Sequence, residues 1–297
     1  MGSRNFAFLL AFAAAIIYGI SFTVAKEVMP LYIKPYGFIL LRVLGATIVF
    51  WIVGSFMTKE KISPKDFLRI FIASIFGITL NMLAFFKGLS LTTPISASVI
   101  MVISPILVLT FATIFLKEKA TKRKLTGIFI GMFGAILLIA YGRDQVSATN
   151  ASLGNLLVFV NASSYAMYLI LIKNLTKKYH PLTLAKWLYL FGLIMVMPFG
   201  LPEFNEIAWS TLPGSAIYKM GFVVIFTTVL TYMFNLFAIR KLKPTTLSIF
   251  IYLQPVIASV YALIVGSDHI DALKIIATIL IFIGVFLVTR KPKEENI

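Results

Sequence analysis

"PISASVIMVISPILVLTFATIFLKEK", residues 94 to 119, opens an apolar run on Pro94 and sets a second proline, Pro105, eleven residues later in its middle. Residues 244 to 268, "PTTLSIFIYLQPVIASVYALIVGSD", repeat the device with Pro244 and Pro255. A proline inside a helix removes a backbone hydrogen bond, here freeing the carbonyl of Met101 or Ile251. In hydrocarbon such a carbonyl must be satisfied by protein or by a wet cavity. Eleven residues is close to three helical turns, so each proline pair marks one helix face. That face carries Ser98, Met101 and Leu109 in the first stretch, and Ser248, Tyr252 and Ser259 in the second. Kinks that improve packing and walls of a cavity are both open readings, and the recurrence of the device favours the cavity.

Composition explains why such runs belong in a membrane. Of 297 residues, 60 % are hydrophobic and 13 % charged, too little charge for the surface of a soluble domain of this length. Ten segments approach the length of a bilayer crossing: Phe6 to Ala25, Pro35 to Met57, Phe67 to Phe86, Ile95 to Leu116, Leu125 to Tyr141, Leu153 to Ile172, Leu182 to Leu201, Met220 to Ile239, Thr245 to Gly266 and Ala272 to Thr289. The first outlasts a signal-peptide core and ends in "AKEVMP" without a small-residue cleavage pattern, so it is expected to stay. Of the 27 Lys and Arg, twenty fall on one side of an alternating ten-helix threading, six on the other, and Arg42 within a span. That asymmetry predicts both termini in the cytoplasm, and it accounts for the net charge of +16 without nucleic acid as a partner. There is no cysteine, so disulfides and thiolate chemistry are excluded. No His–acid cluster or long loop offers an enzyme site. The partners expected are the lipid bilayer and a small-molecule solute, with no cofactor and no metal.

The two proline-marked stretches belong to a longer repeat. A shift of 150 residues sets Pro94 on Pro244, Ser98 on Ser248, Pro105 on Pro255, Ala112 on Ala262 and Gly134 on Gly284. A shift of 147 sets Tyr18 on Tyr165 and Lys26 on Lys173. Two five-helix halves follow, and because five is odd the second enters the membrane from the opposite side. The expected fold is therefore all-α, ten transmembrane helices as two inverted repeats around a central cavity.

The run from Pro94 through "KEKATKRKLTGIFIGMFGAILL" resembles the half-repeat of the EamA family in the drug/metabolite transporter superfamily. The mid-helix proline, Glu118 closing the fourth helix and Gly127, Gly131 and Gly134 in the fifth carry the likeness. "LLRVLGA" around Arg42 is similar to that family's arginine-bearing second helix, and the likeness covers nearly the whole chain. It implies repeats over residues 1–142 and 151–290 with a cytoplasmic tail at 291–297, in the inner membrane. It also implies alternating access around a pocket lined chiefly by helices one, three, four, six, eight and nine. The chain departs from the family where Tyr18 precedes Gly19, at a spot often held by tryptophan.

No Asp or Glu lies in the middle of a span. An intramembrane carboxylate is the usual proton relay and the usual partner of a cationic drug, so proton-coupled cation export is disfavoured. Candidate solute-binding residues are Tyr18, Asn81, Ser98, Met101, Asn161, Tyr165, Tyr168, Asn235, Ser248 and Tyr252, with interhelical bonding as the alternative use of each. Pro105, Pro255, Lys26, Lys173 and Arg42 are candidate structural or gating residues; Arg42 could instead face an anionic solute, and Lys26 and Lys173 could be ordinary helix-end lysines. "GIFIGMFG" in the fifth helix is a GxxxG pattern, for packing within a monomer or for a homodimer face. These features predict a secondary carrier of small metabolites, foremost neutral or zwitterionic amino acids, as exporter or facilitator. The alternative is an organic-anion or sugar-phosphate exchanger using Arg42 with Lys26 or Lys173.

Overall fold

The computed structural model describes residues 4–29, 31–56, 60–91, 100–141, 150–264 and 272–289, and within them every regular element is helical. In chain order these are α1 (Arg4–Val28), α2 (Pro35–Ser55), α3 (Pro64–Ser74), which runs through a π-helical segment (Ile75–Thr79) into α4 (Leu80–Leu91), α5 (Ser104–Leu116) and α6 (Lys122–Tyr141). Then come α7 (Ala151–Leu175), α8 (Pro181–Asn205) and α9 (Gly214–Phe222), which runs through a second π-helical segment (Val223–Leu230) into α10 (Thr231–Lys241). α11 (Pro244–Ser248) passes through a 3-10 turn (Ile249–Tyr252) into α12 (Leu253–Ile264), and α13 (Ala272–Thr289) follows. Among the described residues, six helical rods are long and apolar enough to cross a membrane, and three further apolar helices are shorter.

Local chemistry sets the helix starts. Pro35, Pro64, Pro181 and Pro244 each occupy a first turn, where the missing N–H is no loss. Ser63 accepts from the Asp66 amide, Asn150 from Leu153 and His180 from Leu182. The start of α2 is capped from a distance: Glu203 of α8 accepts from the amides of Tyr36 (2.6 Å) and Gly37 (3.0 Å). Beside it the exposed Lys34–Glu206 pair (2.5 Å) raises the lysine's pKa, so the lysine stays charged through neutral pH and its half of the contact is lost as alkaline pH removes the proton.

The first mid-run proline does not kink a continuous helix. Helix stops at Met101, turns through Val102 and Ile103, and restarts as α5 with Pro105 in its first turn. The Met101 carbonyl accepts the Ser104 hydroxyl at 2.7 Å, and the Val102 carbonyl accepts the Tyr252 hydroxyl at 3.0 Å. Pro255 likewise stands in the first turn of α12, directly after the 3-10 turn. Pro94 and Ser98 lie outside the described residues.

Packing is led by small residues where backbones approach. α6 lies along α13, α2 along α8, α4 along α7, and α1 against α10 and α12. A Cβ on Gly284 would stand 2.6 Å from the Gly127 carbonyl oxygen, and one on Gly131 would stand 2.6 Å from the Tyr252 ring. The glycine pattern of the fifth segment is thus used inside the chain, against α13. The outer faces of this pair, with Phe129, Phe133, Ile276 and Phe286, are exposed. In lipid the two helices gain from close contact and not from leaving water, so the glycines matter more than the apolar area.

Gly284→Ala is therefore expected to lower stability by about 1–3 kcal/mol, because backbone must move to admit the methyl group. Gly221→Ala, at a glycine with nothing within 4 Å of its added Cβ, should change it little. Thermal unfolding of the purified protein in detergent compares the two.

Candidate functional site

The interior polar residues gather where the two π-helical segments face the middle of the chain's helices. A π-helical turn widens the backbone and turns its carbonyls away from regular partners. Around the first, the Phe76 carbonyl accepts from Ser164 (2.7 Å) and the Gly77 carbonyl from the Tyr232 hydroxyl (2.6 Å). Gly77 has no side chain where the Tyr168 ring rests, so α7 closes onto the bulge. Around the second, Thr228 donates to the Val223 carbonyl (2.9 Å), Thr231 donates to that of Thr227, and the Thr227 hydroxyl meets Ser21 of α1 at 2.5 Å.

One helical turn from Ser21, Tyr18 has Thr231 and Asn235 as polar neighbours. Tyr165 and Tyr168 of α7 stand with ring centroids 6.5 Å apart, Tyr168 lies 6.4 Å from Tyr232, and Tyr189 of α8 meets Tyr232 edge-on at 5.0 Å. Tyr189 is fully buried, and its hydroxyl has no partner of hydrogen-bond geometry among the described residues. Into this ring of phenols α2 delivers Arg42, 8 % exposed. Its Nε donates to Thr228 (3.1 Å), its Cζ lies 5.9 Å from the Phe86 ring centroid, and Tyr18, Tyr189 and Tyr232 are its electrostatic neighbours. No carboxylate pairs with it among the described residues. The buried acids are elsewhere: Asp66 pairs with Arg69 (2.9 Å) and Lys178 (2.8 Å), and Glu118 with Lys124.

The structure separates the sequence candidates into groups. Tyr18 lies beside Arg42 with Thr231 and Asn235 as its polar neighbours, and Tyr165 and Tyr168 join the tyrosine cluster through Tyr232. Asn81 and Asn161 clasp each other: Asn81 Nδ2 donates to the Asn161 carbonyl (3.3 Å) and Asn161 Nδ2 to the Asn81 carbonyl (2.8 Å), tying α4 to α7. Asn161 Oδ1 keeps no partner. Ser248 donates to the Thr245 carbonyl (3.1 Å), Tyr252 holds the broken backbone at Val102, and Met101 is half-buried beside that break. Lys173 Nζ donates to the carbonyls of Ile239 (2.5 Å) and Leu242 (2.6 Å), capping the end of α10. The side chain of Lys26 lies outside what the structure describes. Sequence reasoning passed over Tyr189, Tyr232, Thr228 and Thr231. The available signal was "TTVLTY", residues 227 to 232, whose hydroxyls recur at helical spacing inside an apolar span.

Two substitutions test the backbone roles. Tyr252→Phe leaves the Val102 carbonyl unpaired and should cost about 1 kcal/mol. Lys173→Met should raise amide hydrogen exchange in residues 231–241 selectively. Unfolding in detergent and exchange measured by mass spectrometry read the two effects.

Comparison with known proteins adds three findings. The model of the EamA-like transporter family matches residues 5–140 and again 152–290. The uncharacterized transporter YyaM of Bacillus subtilis (strain 168) is 27 % identical over 97 % of this chain and 96 % of its own. The uncharacterized inner membrane transporter YicL of Salmonella typhimurium is 24 % identical over 99 % of both. A solved crystal structure, 16 % identical, shares the fold with a TM-score of 0.79 over 97 % of this chain and 98 % of the other.

Proposed function

The chain belongs to the EamA-like transporter family, which makes it a membrane transporter and not an enzyme, and from that premise we propose that it is a secondary carrier of small zwitterionic metabolites, foremost neutral amino acids. Its two five-helix halves, residues 1–142 and 151–290, insert with opposite topology and rock against each other about the tyrosine–arginine site. The doubled family match supports the halves. So do the paired irregularities: π-helical segments at Ile75–Thr79 and Val223–Leu230, and broken backbone before both Pro105 and Pro255. The chain sits in the cytoplasmic membrane with both termini inside, the 291–297 tail included, and works as a monomeric exporter or facilitator.

One observation carries the solute class. The polar ring is built of phenols, hydroxyls, the Asn235 amide and a single guanidinium, with no carboxylate facing it among the described residues. Such a site offers a solute one fixed positive charge and several neutral donors and acceptors, while aromatic faces accommodate its ammonium group. A sugar phosphate carries two negative charges and calls for a second cation. Of the two lysines expected to supply it, Lys173 already donates to the carbonyls ending α10, and the side chain of Lys26 lies outside the described residues. The lack of an acidic relay also favours transport that does not draw on a proton gradient.

Counterflow in proteoliposomes tests this. Saturable uptake of neutral amino acids, accelerated by the same amino acid inside and indifferent to an imposed pH gradient, is the expected result. Tyr18→Phe should raise the half-saturation concentration roughly tenfold, the worth of one buried hydrogen bond to a solute. Uptake that needs the gradient, or is confined to sugar phosphates, would overturn the proposal.

A further inference from the structure

Resting on the carrier reading, we propose that Arg42 is the anchor for a carboxylate of the transported solute, and that this carboxylate is the counter-ion which lets the central site reorient, so the protein exchanges one carboxylate for another and returns empty only slowly. The argument starts from how the guanidinium spends its donors. Of its five N–H groups, the one on Nε goes to Thr228, whose own hydroxyl is held by the Val223 carbonyl in the π-helical segment. Nη1 and Nη2 donate to no protein acceptor among the described residues, in a residue that is 8 % exposed. These two nitrogens form the planar fork that matches a carboxylate bidentately.

Three half-buried cations elsewhere in the chain are tied to backbone carbonyls or to a carboxylate. Lys173 donates to the helix-ending carbonyls of Ile239 and Leu242, Arg4 Nη2 donates to the Thr289 carbonyl (3.1 Å), and Lys124 pairs with Glu118. An arginine kept for structure alone would be tied in the same way. Arg42 is held at Nε and left open at the fork, beside Tyr18 and the unpartnered Tyr189 hydroxyl. An unpaired buried charge is far more costly than a paired one, so closing the site around a bare guanidinium is disfavoured and closing it around a guanidinium–carboxylate pair is not. A phosphate dianion would leave one negative charge over.

The experiment uses the full chain, in detergent for binding and in proteoliposomes for flux. The probes are leucine, leucinamide (no carboxylate), 4-methylpentanoate (no ammonium) and glucose 6-phosphate. Leucine and 4-methylpentanoate should stabilise the wild type against heat; leucinamide and glucose 6-phosphate should not. Efflux of leucine should quicken about tenfold when leucine is added outside. Arg42→Gln should lose that acceleration and weaken carboxylate binding at least tenfold. Arg42→Lys, which keeps the charge without the fork, should fall between, and Thr228→Ala should weaken binding several-fold by releasing Nε. If Arg42→Gln does not fold, the solute series on the wild type and on Arg42→Lys still decides. Leucinamide acting as well as leucine, or Arg42→Gln binding carboxylates as tightly as the wild type, overturns the anchor while leaving a carrier. Uptake of every probe that is neither saturable nor accelerated from the far side overturns the carrier reading itself.

Discussion

A carbonyl oxygen without a hydrogen-bond partner is costly in hydrocarbon, and the interior of this protein is organised around the places where its helices leave such oxygens behind. The irregularities fall at Gly77, at Val223 and before Pro105, and each finds a hydroxyl: Tyr232, Thr228, and Ser104 with Tyr252. The Tyr232 bond runs from α10 to the π-helical segment after α3, and the Tyr252 bond runs across 150 residues of sequence. The satisfied carbonyl and the tertiary contact are therefore the same event. At Gly77 and Val102 distant helices complete the irregular backbone, and at Val223 and Met101 a hydroxyl of the same stretch does.

The same demand divides the polar residues into those tied to another helix's backbone and those that meet the second π-helical segment and α10. Asn81 and Asn161 spend amide N–H groups on each other's backbone, and Lys173 spends its ammonium on the end of α10. Arg42 bonds through Nε to Thr228, and Tyr18 has Thr231 and Asn235 as polar neighbours. All of the second group's partners sit on the second π-helical segment and α10. A movement of that rod relative to α1 and α2 would change the shape of the site, which is the kind of two-position element that alternating access requires.

Glycine contacts set how closely the frame is drawn. Gly127, Gly131 and Gly284 bring α6 and α13 to backbone contact, and Gly131 also admits the Tyr252 ring that reaches back to Val102. Close packing in the fifth segment and carbonyl capping in the fourth are thereby one structure. A side chain on Gly131 would disturb both.

The residues alone determined the solvent and the class of element: an apolar composition with segments near bilayer length admits only helices, whose backbone groups are satisfied within the segment. The proline pairs located the broken backbone, the glycine spacing located the close contact, and Arg42 stood out as the charge inside a span. Which partner each polar group takes was not legible, because a phenol or amide in an apolar run is equally suited to binding a solute and to bonding a neighbouring helix. Tertiary packing decided it. Neighbouring helices took up donors of Asn81, Asn161, Tyr252 and Lys173, Ser248 turned to its own helix, and packing brought Tyr189 and Tyr232, unremarkable in their own runs, against Arg42. Hydrogen-bond capacity is a property of the residue, but whether it is already spent depends on what stands three ångströms away, and the chain's fold alone sets that distance.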